Sequence, residues 1–303
     1  MTAAYIRVLP YRAPRDVWLQ ARRHGIGGSD IAAICGLSTW ASPYSVFADK
    51  LGLTPADSEE TERQRWGNLL EPVIGAEWAR RHPGARIRRV GMVRSKTRPW
   101  QQCSPDFLTD CCGGRRGHLQ AKTADRYMAD EWDEDSVPLP YLLQGTHEAD
   151  VLGVDHFHFA TLLGGNELVD YVVEHDDGLV DMVRTAGADF WRLVETRTPP
   201  PLDGTDPTTA ALKRRYADSI NDVVYLDAAW LDRLDEREAT REQIKALEGA
   251  VAKTANELRA AMGEHRTAVA GGLVVATWNP DKNDTRVLRV KDAAQRKPER
   301  TAA

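Results

Sequence analysis

The sequence predicts an α/β (α+β) domain with a mixed central sheet flanked by helices. Three observations lead there. Helical apolar stripes come first, followed by short runs that alternate with period two. One helical stretch, 138–153, then separates those runs from two more. That order of helices, strands, helix, strands and helix builds a layered domain. Finally, Pro199-Pro200-Pro201 marks its end, about 200 residues in.

In chain order, residues 1–15 read as an irregular arm. A short helix over 16–24 has Trp18, Leu19 and Arg22 close to one face and is broken by Gly25-Ile26-Gly27-Gly28. Ser29 and Asp30 are N-cap candidates for a second helix, ended by Gly36. Glycines before a capped helix start leave free N–H groups facing outward, a corner suited to an anion; an ordinary helix–turn–helix shows the same pattern. Ser42-Pro43 starts a third helix. A longer one over 62–81 places Trp66, Leu69, Leu70, Val73, Ile74 and Trp78 on one stripe, with Glu71 beside it. Strands are expected over 85–93, 100–108 and 118–123, the last two joined across Gly113-Gly114. After the helix over 138–153, strands over 156–163 and 168–174 meet at Gly164-Gly165-Asn166, a hairpin turn. A helix over 176–194 closes a domain spanning 1–198.

Residues 199–222 read as a Pro-rich linker. An extension over 223–292 follows. Its charged helix carries a short coiled-coil-like seam at Ile244, Leu247, Val251, Thr254, Leu258 and Ala261. A β-hairpin over 267–290 turns at Asn279-Pro280-Asp281, and 293–303 is a polar tail expected to be disordered.

Composition narrows the class. At 42% hydrophobic and 28% charged residues, the chain has the makeup of an ordinary globular protein. No run approaches the roughly 18 apolar residues of a membrane span, and no signal peptide is evident, so a cytoplasmic location is expected. A net charge of −5 argues against a simple nucleic-acid coat. It leaves room for a local basic track, and Arg80, Arg81, Arg86, Arg88, Arg89, Arg94, Lys96 and Arg98 fall in one stretch. Of the four cysteines, adjacent Cys111 and Cys112 are poorly spaced for metal ligation, so buried or loop thiols are the expectation.

The chemistry concentrates in Ser104-Pro105-Asp106 and Gln120-Ala121-Lys122. On a strand, period two puts Gln120 and Lys122 on one face and Ala121 on the other. Cutting a phosphodiester needs an activated water and a stabilised leaving oxyanion, which a hard cation held by oxygen ligands supplies. Asp106 would anchor such a cation, with the Gln120 amide oxygen, the Ala121 carbonyl and Glu71 as further ligands. Lys122 would orient or deprotonate water and offset phosphate charge. Gln144, on the following helix, would hold the lysine or a phosphate.

Five ordered blocks give this set a family context: Gly25 to Ala32 with 40–53; Trp66-Gly67-Asn68-Leu69-Leu70-Glu71-Pro72; Ser104-Pro105-Asp106; Leu119-Gln120-Ala121-Lys122; and Tyr141-Leu142-Leu143-Gln144 ahead of Leu163-Gly164-Gly165-Asn166. Over about residues 15–197 the chain resembles the YqaJ-like viral recombinase family. These are phage and prophage relatives of lambda exonuclease within the PD-(D/E)XK nuclease superfamily. The resemblance implies a restriction-endonuclease-like core and Mg²⁺-dependent (or Mn²⁺-dependent) 5′→3′ degradation of one strand of linear duplex DNA. It implies a 3′ single-stranded tail for a RecT-like annealing protein, and a ring-shaped trimer. By position, Asp106 matches the metal-binding aspartate and Lys122 the catalytic lysine. Glu71 and Gln144 match the helix residues beside the metal, and Arg22 and Ser29 the holders of the DNA 5′-phosphate.

One position departs. Gln120 stands where the family has Glu, which removes a carboxylate that Mg²⁺ prefers. Asp110, Glu148 and Asp150 are the candidates for replacement charge. The alternative expectation is a catalytically degenerate nuclease fold that binds DNA ends or a partner.

Overall fold

The computed structural model of the chain describes residues 4–55, 60–132 and 137–298. It divides into two units, Met1–Ser219 and Ile220–Ala303. The first unit opens with β1 (Tyr5–Arg7), α1 (Arg15–Arg22), α2 (Gly28–Ile34), α3 (Pro43–Lys50) and the long α4 (Glu62–Arg81). Short strands β2 (Arg86–Arg88), β3 (Val93–Ser95) and β4 (Gln102–Cys103) follow, then β5 (Phe107–Cys111) and β6 (Arg115–Ala124). Helix α5 (Leu139–Leu152) leads to β7 (His156–Leu163), β8 (Glu167–Glu174), α6 (Asp177–Thr196) and α7 (Asp206–Arg215).

The central sheet runs β2-β5-β6-β7-β8. Its β6–β7 pair is parallel and its other pairs are antiparallel, so the sheet is mixed, as the sequence predicts. A parallel pair needs a crossover, and α5 is that crossover. Alternation along the strands sorts the two faces. Phe107, Leu119 and Ala160 pack with Ile74 and Trp78 of α4. On the other face Phe157 and Phe159 pack with Ala149 of α5. A separate cluster of Ile31, Phe47, Leu143, Val183 and Phe190 ties α2, α3 and α6 to α5. His147 of α5 reinforces this junction, its buried Nε2 lying 3.1 Å from the Ile26 carbonyl and 3.0 Å from that of Gln102.

Several expectations change. The arm over 1–15 contains β1, which pairs with β3 in a three-stranded sheet, β1-β3-β4. The single strand expected over 85–93 is β2 and β3 in two different sheets. Between them the Met92 carbonyl accepts the N–H groups of Val8 and Leu9, which turns the chain away from β2. The run over 100–108 divides in the same way into β4 and β5 around Ser104-Pro105-Asp106, since proline has no N–H to give a ladder. On α4 only Ile74 and Trp78 of the predicted stripe are buried; Trp66, Leu69 and Val73 are exposed.

Residues 199–222 are not wholly a linker. Thr205 caps α7 by accepting the Thr208 N–H, and Pro207 sits in its first turn. Thr208 donates to Ser42 at 2.6 Å and Ala211 packs among Tyr44 and Ala48 of α3.

The second unit contains α8 (Ala229–Met262) and a sheet of β9 (Thr267–Ala270), β10 (Leu273–Pro280), β11 (Arg286–Val290) and β12 (Lys297–Pro298). The first arm of the predicted hairpin is two strands, β9 and β10, because Gly271 and Gly272 both adopt positive φ (58° and 78°) and turn the chain between them. Part of the tail is ordered: β12 pairs with β10, while 299–303 lie outside the described residues. The seam residues Ile244, Leu247 and Val251 are exposed on α8.

Candidate active site

Asp106 precedes β5 on the turn that Pro105 makes, and its Oδ2 accepts the Ala121 N–H of β6 at 2.8 Å. This fixes the carboxylate against the middle of the neighbouring strand. Gln120 and Lys122 share one face of β6, as period two requires. Lys122 Nζ donates to Gln120 Oε1 at 3.1 Å and to Gln144 Oε1 at 3.2 Å. It also lies 5.4 Å from the centre of the Tyr141 ring.

The residue completing this set is Glu148, on the turn of α5 after Gln144. Its Oε2 accepts from Gln120 Nε2 at 2.6 Å and its Oε1 from Gln144 Nε2 at 3.0 Å. Gln144 Nε2 also donates to Gln120 Oε1. Lysine can only donate and a carboxylate mainly accepts, so these two poles set the orientation of both amides. The Gln120 oxygen is thereby engaged by two donors, which leaves Asp106 and Glu148 as the anionic oxygens of the cluster. Residues four apart on a helix share a face, so Gln144 was the signal in the sequence that pointed to Glu148.

The other two candidates for replacement charge are committed elsewhere. Asp150 is held by Arg98 at 2.8 Å and Arg184 at 2.7 Å, and Asp110 lies 3.9 Å from Arg116. Glu71 pairs with Arg89, whose guanidinium lies 4.1 Å from the Phe107 ring centre. Glu71 thus meets the cluster through Arg89, whose charge bears on Asp106. Four members of the basic stretch, Arg80, Arg81, Arg89 and Arg98, are tied to carboxylates.

The electrostatics follow from burial. Glu148 is 2% exposed. Burial pushes its carboxyl from 4.5 up to about 7; the Asp106 charge adds to this, while Gln144, Lys122 and Gln120 oppose it. Burial also raises Asp106, against Lys122, the Ala121 N–H and Arg89. Beneath Glu148 lies His118, buried and held down to about 3 chiefly by desolvation, so it is a neutral imidazole bound to the Gly145 carbonyl at 3.0 Å.

The Arg22–Ser29 corner stands beside this cluster. Arg22 donates to Ser29 Oγ at 3.2 Å and to Asp30 Oδ1 at 2.7 Å, and its guanidinium lies 4.9 Å from the centre of the Trp18 ring. Helix α2 is capped two residues before the nearer predicted cap, Ser29: Gly27 is its N-cap, and Asp30 reaches back to accept the Gly27 N–H at 2.9 Å. Asp30 also meets buried Lys50 at 2.6 Å. Burial opposes its charge, but Lys50 and Arg22 prevail and hold the carboxyl far below the usual range. Two cations against one carboxylate leave the corner one net positive charge. The corner and the α5 side of the cluster share one cavity of about 80 Å³, lined by Trp18, Arg22, Ser29, Gln144 and Glu148 among others, with Gln120 and Lys122 reaching it through their bonds to Glu148 and Gln144. Corner and cluster touch at Gly28, where a Cβ would lie 2.4 Å from Glu148 Oε1.

Comparison with known proteins places the chain in a family and its fold among solved structures. The family model described as the YqaJ-like viral recombinase domain matches residues 17–155. The uncharacterized protein YqaJ of Bacillus subtilis (strain 168) is 32% identical over 283 residues, covering 91% of this chain and 87% of that protein. Among solved structures, the fold resembles an alkaline exonuclease from Laribacter hongkongensis at 19% identity and TM-score 0.51, covering 60% of this chain and 93% of that one. The complex of that exonuclease with dAMP matches at 19% identity and TM-score 0.51, covering 67% and 98%.

Proposed function

This chain belongs to the YqaJ-like viral recombinase family, and we propose that it is a divalent-metal-dependent exonuclease acting on the ends of linear duplex DNA. The observation that carries the reading is the shared cavity. A cationic corner suited to a terminal phosphate opens into the same space as Gln144 and Glu148, through which the buried acidic cluster suited to hydrolysis reaches it.

The donor set fits a hard cation. Asp106 and Glu148 are two buried carboxyls beside one ammonium; burial first, and then the Asp106 charge, raises the Glu148 carboxyl, a cost that a bound cation would offset. Asp106, Glu148 and the Ala121 carbonyl would hold Mg²⁺, or Mn²⁺, by oxygen alone. Bound there, the cation would acidify a water and stabilise the leaving oxyanion. Lys122, gripped by two amide oxygens, presents its ammonium to the phosphate or the attacking water. Gln120 positions Lys122 and Glu148 and does not itself bind the cation. Arg22, with Ser29, holds the 5′-phosphate, which sets the distance from the end at which the strand is cut. Glu71 restrains Arg89.

The finer reading follows the family resemblance. One strand is degraded 5′→3′ in the cytoplasm, the 3′ tail passes to a RecT-like annealing protein, and the chain acts as a homo-oligomer, a ring trimer. The alternative of a degenerate, end-binding fold was motivated by Gln120. The Glu148 carboxylate beside Gln120 favours the active enzyme.

The test is digestion of linear duplex DNA, with and without 5′-phosphates, in Mg²⁺ or Mn²⁺. Wild type is expected to degrade it, and Asp106→Ala and Lys122→Ala are expected not to. Undiminished activity in Asp106→Ala would overturn the assignment. An inactive wild type that still binds DNA ends would select the alternative.

A further inference from the structure

The opposite face of the sheet carries a second cluster of reactive side chains. Cys111 ends β5, and Cys112 follows in a left-handed conformation (φ 51°) that swings its sulfur back to 3.2 Å from Cys111 Sγ. His156 and His158 stand on β7, two strands away, on the face covered by α4. Their Nε2 atoms lie 3.4 and 3.3 Å from Cys111 Sγ, and His158 Nε2 lies 3.8 Å from Cys112 Sγ. All four ligand atoms fall within 4.8 Å of one another.

We propose that Cys111, Cys112, His156 and His158 form a tetrahedral Cys2His2 zinc site that staples β5 to β7 across β6. With Zn–S near 2.3 Å and Zn–N near 2.0–2.1 Å, tetrahedral ligand atoms lie about 3.3–3.8 Å apart. The four contacts here run from 3.2 to 3.8 Å. Plain packing does not account for them. Cys111 Sγ has one weak proton as a thiol, yet meets two imidazoles and a second sulfur. Soft sulfur with imidazole selects zinc over Mg²⁺ or Ca²⁺.

The surroundings are built for this. Gly117 of β6 lies between the strands, and a Cβ there would be 2.7 Å from His156 Nε2, so any larger residue would close the path across β6. His156 Nδ1 lies 3.1 Å from Asp155 Oδ1, which aims Nε2 at the sulfurs as second contacts do in zinc sites. His156, His158 and Cys111 are buried while Cys112 is exposed, giving the ion a way in. Two thiolates, having lost their protons, neutralise Zn²⁺ in this buried place. Four protein ligands leave no open position, so the site is structural. The adjacent cysteines looked unsuitable because their partners lie 44–47 residues away in sequence and meet them only through the β5-β6-β7 pairing. This inference does not rest on the nuclease reading, since Gln120 and Lys122 face α5.

The experiment measures metal content in the full chain purified without chelator, and absorption after exchange with Co²⁺. We expect one zinc per chain and the charge-transfer and ligand-field bands of tetrahedral cobalt–thiolate. Cys112→Ser, at an exposed turn, and His158→Gln should each lose the metal while circular dichroism reports a folded chain; Asp106→Ala should keep it. If His158→Gln fails to fold, Cys112→Ser alone decides. Folded wild type that takes up neither zinc nor cobalt would overturn the proposal. So would zinc retained in Cys112→Ser, a Cys111–Cys112 disulfide persisting after reduction and metal addition, or iron with sulfide in place of zinc.

Discussion

Gln120 donates its amide to Glu148 at 2.6 Å, so a helix residue 28 positions later sets its carboxyl beside the neutral strand amide. The pair makes the first prediction. Glu148→Gln should reduce cleavage by about 100-fold or more, the scale of losing a metal-site carboxylate. Gln120→Glu alone should add a second carboxylate beside the first and lower the Mg²⁺ concentration at which activity saturates. The double variant Gln120→Glu/Glu148→Gln restores one carboxylate at this contact and should recover part of the activity. Steady-state cleavage of a linear duplex separates these outcomes, and no recovery in the double variant would show that the helix position itself is required.

The second prediction concerns pH. A carboxyl raised from 4.5 to about 7 binds its proton more tightly in the folded chain than in the unfolded one. It therefore stabilises the metal-free fold fully below pH 4.5, and this stability is lost as pH rises through about 7. Thermal melts in chelator should show wild type falling across that window and Glu148→Gln flat by comparison, the variant being the more stable above pH 7. Catalysis runs the opposite way, because the cation needs the ionised form: at limiting metal, kcat/KM should rise through about pH 7, and saturating metal should move the rise to lower pH. Parallel melting curves would refute the assignment of this group.

Arg22→Ala should abolish the preference for 5′-phosphorylated ends while cutting the rate on unphosphorylated ends much less. Asp30 keeps Lys50 in this variant, so the fold should hold. Lys50→Ala behaves differently. It breaks the more deeply buried of the two ion pairs, leaves Asp30 to the partly exposed Arg22, and should cost about 3 kcal/mol in stability, read from urea unfolding.

Gly28→Ala tests the contact between corner and cluster. Its Cβ would arrive 2.4 Å from Glu148 Oε1, so either α2 or the carboxylate must move. Activity should drop about 10-fold or more, the scale of a disturbed metal ligand, with a smaller change in melting temperature. An active Gly28→Ala would mean that Glu148 tolerates displacement.

Much of the site was readable in the sequence because its rules are local. Period two placed Gln120 with Lys122, and Ser42-Pro43 and the Gly164-Gly165-Asn166 turn fixed element ends that the structure keeps. What was not readable depends on how elements pack. Four residues from Gln144, Glu148 shared its helix face, but the rotation of α5 over the sheet decided that it, and not Asp150, meets Gln120. The apolar period of α4 predicted one stripe, yet the sheet is short enough that only the C-terminal half is covered. Helix α7 had a start signal in Thr205-Asp206-Pro207 that three preceding prolines obscured.

The crossover that a parallel β6–β7 pair demands has a consequence for how the molecule assembles. Asp106 with Ala121, Lys122 with Gln144 and Gln120 with Glu148 meet across separations of 15, 22 and 28 residues, within one contiguous segment. The Arg22 corner reaches that segment through far longer loops, such as Gln102 to Arg22 at 80 residues and His147 to Ile26 at 121. Short loops close at lower entropic cost, so the hydrolytic half should form early in refolding and the end-recognising half should dock onto it later. Pulse-labelled hydrogen exchange would show α5 and β6 protected before α1 and α2. A chain caught between the two stages would carry the cutting machinery without the device that confines it to ends.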